Sequence, residues 1–212
     1  MADRNFIVYD VETKDLIKDQ NKIFELGISV TVTYSYNENV YRIWGDIKQD
    51  HKDLLSYMNG CIAITFNGIS FDSKVLLGNN RKILPNGSVT GDPFKEGKEY
   101  GWRNIDMFTE IWKSIFKTKN VITAIEKQKN AKQFHVRGLF NLDNILRNTL
   151  GGTYLKLVNG ITAVDHYKNG NLKKLYEYCI QDVRTERALW EFVKDRKYIV
   201  NGNYDIVKFD QM

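Results

Sequence analysis

The chain is 212 residues long, 42% apolar and 27% charged, which suits one folded domain of ordinary to large size and excludes a disordered protein. Its two cysteines, Cys61 and Cys179, stand far apart, which excludes a disulfide scaffold or a cysteine zinc site and fits a reducing compartment. The net charge of +5 is concentrated in residues 117–138, where Lys117, Lys119, Lys127, Lys129, Lys132 and Arg137 face the single acid Glu126. Such a segment is either a patch that attracts a polyanion such as nucleic acid or a solvated loop or helix face. No apolar run approaches a membrane span, and Asp3, Arg4 and Asp10 near the N-terminus argue against a signal peptide. The expectation is a cytoplasmic protein without a membrane partner.

Residues 5–10 read as a strand that ends on an acid. Residues 22–34 and 39–44 alternate polar with β-branched and aromatic side chains around Asn37-Glu38, which predicts three antiparallel strands with the first. A helix is expected over 50–58, stopped by Asn59-Gly60, and a buried strand over 61–66, closed by Asn67-Gly68. Residues 70–77 read as a helix with Ser70 as its N-cap. Residues 78–103 hold both prolines and five of the 15 glycines, and read as a long loop. A short edge strand at 105–107 leads into a helix over 107–116. After the basic stretch, Asn141 caps a helix that ends at Gly151-Gly152. Residues 172–198 carry a helical apolar stripe. The fold class is α/β, with a mixed sheet in one domain, 1–212, and loop insertions at 78–103 and 117–138.

Four acids occupy positions suited to chemistry. Asp10 and Glu12 are two residues apart on extended chain, so both carboxylates face one side. Asp72 follows the strand over 61–66, and Tyr178 and Asp182 are neighbours one turn apart on the last helix. Their face is rotated away from the main apolar stripe, so neither is expected in the core. Singly, each acid has a plainer role: Asp10 as a turn residue, Glu12 as a surface acid, Asp72 at a helix start, Asp182 paired with Arg184 or Lys173. Asp106, also at a strand end, is explained by capping the next helix. The three histidines share no ligand spacing.

Taken in order, these segments resemble the DEDD superfamily of 3′-to-5′ exonucleases. Ile7-Val8-Tyr9-Asp10-Val11-Glu12-Thr13 is similar to its first motif, and Ile23-Phe24-Glu25-Leu26-Gly27 to the segment that opens the second strand. Phe66-Asn67-Gly68-Ile69-Ser70-Phe71-Asp72 matches the second motif, and Tyr178-Cys179-Ile180-Gln181-Asp182-Val183 the tyrosine form of the third. The segments from Leu142-Asp143 to Leu150-Gly151 and from Tyr178 to Leu189 are similar to the polymerase-proofreading-like branch of phages and bacteria; the resemblance spans residues 5–77 and 139–193, and residues 78–103 and the basic stretch fall outside it. It implies a ribonuclease H-like sheet, with three antiparallel strands followed by parallel ones, flanked by helices.

The resemblance also implies a site. Asp10, Glu12, Asp72 and Asp182 would hold two ions, Mg²⁺ or Mn²⁺, which all-oxygen ligands favour over zinc. Asp10 would bridge the pair, and Tyr178 would orient the attacking water, a positional role for a phenol with a pKa near 10. Thr13 and Asn67 would contact substrate. The expected reaction releases 5′-mononucleotides from a free 3′ end, with single-stranded DNA favoured over RNA. A polymerase or helicase would be a separate partner, in a bacterial or phage-infected cell. The alternatives are an exoribonuclease of the same mechanism and an inactive module that binds nucleic acid or docks a partner. Arg184 and Arg187 either grip phosphates or pair with Glu177 and Glu191.

Overall fold

Ile7, Val8, Tyr9 and Val11 are buried, and the β-forming run around them makes strand β1, Phe6–Thr13. The structure, a computed structural model, describes residues 5–130, 138–152 and 160–209. The next strands are β2 (Ile28–Ser35), β3 (Val40–Trp44) and β4 (Ile62–Thr65). They are followed by β5 (Lys82–Ile83), β6 (Ser88–Gly91) and β7 (Tyr100–Asp106). All seven form one mixed sheet of order β3-β2-β1-β4-β7-β6-β5. β1, β4 and β7 run parallel, and the outer strands on both flanks are antiparallel. β4 pairs with β1 from Phe6↔Ile62 to Val8↔Ile64, so the second half of β1 runs on beyond that ladder. From β1 the chain moves to β2 and from β4 it moves on toward β7, opposite directions along the strand order, the place where open α/β sheets leave a crevice.

Helices cover both faces. On one side lie α1 (Lys48–Met58) and α2 (Asp72–Leu77), packed on Ile7, Tyr9 and Val11. On the other lie α3 (Met107–Ile115), α4 (Val121–Asn130), α5 (Leu142–Leu150), α6 (Gly160–Lys168) and the long α7 (Leu172–Arg196). α7 packs across β1 and β2, over Val8, Val30 and Val32. Strand parity therefore turns Asp10 and Glu12, which share a face with Val8, toward α7. A separate hairpin, β8 (Tyr198–Val200) with β9 (Ile206–Lys208), follows α7. Among the described residues no helix is long and apolar enough to cross a membrane.

The antiparallel trio, the buried strand, and the helices at 48–58, 107–115 and 142–150 match expectation. Asn141 caps α5 by accepting from the Asn144 N–H at 2.8 Å, and Gly151 ends it with φ 72°. Other elements differ. β1 does not end at Asp10 but continues to Thr13, because Val11 is still a core residue. Residues 20–25 form a short 3-10 helix, Gln20–Glu25, rather than the start of a strand. α2 begins at Asp72, and Ser70 does not cap it. Residues 78–103 are no loop: they supply β5, β6 and most of β7, and β7 lies inside the sheet, not at its edge. The basic stretch contains α4, preceded by residues 117–120, and its residues 131–137 lie outside the described residues. The last helix stops at Arg196, and Tyr198 already belongs to β8.

Candidate functional site

Two elements meet to form the acid cluster. β1 offers Asp10 and Glu12 from alternate positions, and α7 offers Tyr178, Asp182 and Glu186 from successive turns. One carboxylate oxygen from each of Asp10, Glu12 and Asp182 falls within 4.8 Å of the others. Asp182 is only 1% exposed and Tyr178 only 4%, so the α7 face expected to lie off the core is in fact pressed against the sheet. A 25-residue helix laid across a sheet under further helices buries more than one stripe, and polar residues on the inner face disguised it.

Asp72 reaches the site from the other side of β1. Its Oδ1 accepts the Val11 N–H at 3.1 Å, capping the part of β1 that β4 leaves open. It is not a fourth member of the trio, yet Asp10 acts on it directly. Burial first, and then the charge of Asp10, hold the Asp72 carboxyl well above the usual carboxylate range.

The turn that carries Asp72 is fixed by Asp106 at the end of β7. Asp106 accepts the N–H groups of Asn67 (2.8 Å) and Ile69 (2.9 Å), and those of Phe108 (3.0 Å) and Thr109 (3.2 Å) in α3. The expected helix cap is therefore also the clamp on the turn leading to Asp72. Asn67, with φ 70°, lines the same cavity as Asp10, Glu12, Asp72 and Tyr178. Thr13 lines it too, and donates its hydroxyl proton to the Asp15 carbonyl at 2.9 Å. The cavity measures about 1290 Å³.

Two site residues escaped the sequence reading. Glu186, buried one turn beyond Asp182, lines the cavity; its i+4 spacing from Asp182 was the available signal. Cys179 places Sγ 3.6 Å from both Oδ2 and the carbonyl oxygen of Asp10. Burial, then the charges of Asp10, Glu12 and Asp182, push its thiol well up, so it stays protonated and donates to Asp10. Arg184 and Arg187 lie elsewhere: Arg187 pairs with Glu191 at 2.8 Å and stacks over Tyr34, and Arg184 lies over Tyr41.

No protein-family model matches this chain, and no curated protein matches it. The chemistry of the site rests on its own groups. Three hard carboxylate ligands in a half-closed crevice suit an oxygen-seeking divalent cation, which would relieve the repulsion among them. The three carboxylates could therefore hold a metal ion.

Proposed function

We propose that the chain is a metal-dependent 3′-to-5′ exonuclease of the DEDD type on a ribonuclease H-like fold, acting on single-stranded DNA. The observation that carries the reading is the convergence of Asp10, Glu12 and Asp182 within 4.8 Å, with Tyr178 on the same helix face as Asp182. The sheet order supports it, with an antiparallel trio joined through β1 to the parallel strands β4 and β7. Asp10, Glu12 and Asp182 would hold Mg²⁺ or Mn²⁺, and Asp72 would serve a second ion at the neighbouring position. Such ions, when bound, supply charge stabilisation to a phosphodiester displacement and lower the pKa of the attacking water. The residues do the rest. Tyr178, lining the cavity beside Glu12, orients the water by hydrogen bonding. Cys179 fixes the Asp10 carboxylate through its thiol. Asp106 holds the turn that presents Asp72.

The test uses 5′-labelled single-stranded DNA and RNA of one sequence, with Mg²⁺, Mn²⁺ or EDTA. A ladder shortening from the 3′ end is expected only with metal, and Asp10→Asn abolishes it. Tyr178→Phe, which removes a positioning group, retains turnover at roughly one hundredth or more of the wild-type rate. A stronger ladder on RNA makes the protein an exoribonuclease. Binding of both strands without cleavage sinks the enzymatic reading in favour of a docking module.

A further inference from the structure

The cavity that holds the acid cluster is not lined by acids alone. Lys74 from α2, Arg81 from the segment between α2 and β5, and Lys129 from α4 also open onto it. Three cations that line one cavity repel one another. Repulsion of this kind is tolerated where an anion is to be received.

Arg81 is the fixed member. Its Nε donates to Ser73 Oγ at 3.1 Å and its Nη2 to the Ile69 carbonyl at 3.0 Å, while Ser73 Oγ donates to that same carbonyl at 2.8 Å. Its half-buried guanidinium is thereby tied to the turn that presents Asp72. Among the described residues, neither group that accepts from Arg81 is a carboxylate. A guanidinium whose hydrogen-bond acceptors are a hydroxyl and a carbonyl, in a crevice, suits an oxyanion.

Lys129 brings the basic stretch into the same place. The cations of that stretch do not share one patch. Lys127 lies over the Phe116 ring at 5.5 Å, and Lys117 and Lys119 line a different cavity beside α3 and β9. Of the described lysines in the stretch, Lys129 lines the cavity of the acid cluster.

A ligand that satisfies both halves of the cavity must offer more than one phosphate. One is required at the carboxylate cluster, where a cation would mediate; others meet the cationic wall directly. Resting on the exonuclease reading, we propose that Lys74, Arg81 and Lys129 grip the sugar–phosphate backbone of the substrate strand at a phosphate other than the one presented to Asp10, Glu12 and Asp182. The wall binds the strand and sets its register through the rigid link between Arg81 and the Asp72 turn.

The experiment is a fluorescence anisotropy titration of a labelled oligothymidylate in EDTA, repeated over a series of KCl concentrations. Lys129→Gln, at an exposed site on α4, and Arg81→Gln are each expected to weaken binding several-fold. Each should also flatten the plot of log affinity against log salt by about 0.7, the increment for one phosphate contact on a single strand. Lys127→Gln removes the same charge from the same helix and should keep the wild-type slope. Unchanged slopes in Lys129→Gln and Arg81→Gln overturn the wall. So does a Lys127→Gln slope that falls as far as that of Lys129→Gln, which would mean a diffuse positive field without a site. The readout needs no hydrolysis. A 3′ ladder with unchanged slopes therefore leaves the nuclease and removes the wall. The expected slopes without a ladder keep the wall as a polyanion site and remove the nuclease.

Discussion

Asp72 is the residue whose surroundings set the sharpest demand. Burial and the charge of Asp10 raise its carboxyl, against the pull of the Val11 N–H it accepts. A carboxyl raised in the folded state holds a proton that the unfolded chain, with its ordinary value of 3.8, has already released. Stability therefore falls as pH rises from 3.8 through the folded value, and the full loss is present above that value. Asp72→Asn keeps an acceptor for Val11 and removes the charge. In EDTA at neutral pH this variant is expected to be more stable than wild type by on the order of 1 kcal/mol, the difference closing toward pH 3.8. Urea titrations at the two pH values check it, and equal stability at neutral pH would count against the raised carboxyl. At this scale much of the site was readable. Asp10 and Glu12 announce themselves by parity on an apolar strand, and Tyr178 and Asp182 by one helical turn. Glu186 and Cys179 were not, because a buried acid and a buried thiol on a long helix look like ordinary helix residues until the sheet beneath them is known.

Asp106 shows how one side chain joins two elements. With four backbone N–H groups directed at it, Asp106→Ala would orphan donors on both the 67–71 turn and the start of α3. The expected loss is about 3 kcal/mol, read as a lower urea midpoint. A change within 0.5 kcal/mol, the range typical of exposed surface sites, would show that the clamp is dispensable. The elements nearest this clamp were also the ones composition misrepresented. The glycines over 78–103 suggested a loop, yet two of them answer to a close approach of backbone, one within a strand and one at the turn before β6. A Cβ on Gly101 would stand 2.7 Å from the Val89 carbonyl oxygen across the β6–β7 ladder. One on Gly87, where φ is 84°, would stand 2.7 Å from that of Asn104. Glycine inside a strand pattern can mark a close backbone approach as readily as a turn, and only the paired partner distinguishes them. The same ambiguity hid β7: residues 105–107 were legible as strand, whereas over Tyr100 to Asn104 the buried positions alternate but include the polar Asn104, and Gly101 stands between them.

For the whole molecule, the acid cluster predicts a linkage between cation and fold. A cation held by Asp10 and Glu12 on β1 and Asp182 on α7 binds the folded chain and not the unfolded one. Mn²⁺ or Mg²⁺ is expected to raise the melting temperature of the wild type, by an increment worth about 2.7 kcal/mol at a hundredfold excess over Kd. Asp182→Asn should abolish the shift in a thermal scan, and a wild type indifferent to millimolar metal would rule out the cation site. The mixed α/β character of the sheet and its antiparallel trio were legible in the chain, whereas the strands supplied by residues 78–103 were not. What joined them into a crevice, the abrupt end of the β1–β4 ladder at Val8, is a matter of register that no single strand displays. The thiol contact between Cys179 and Asp10 spans 169 residues of chain. Such remoteness has a temporal side. During synthesis β1 leaves the ribosome before α7, and its two acids meet Asp182 only once α7 has been made and has docked. The nascent polypeptide thus carries no assembled centre over the whole stretch from β1 to α7, and any activity the centre supports waits for that late contact.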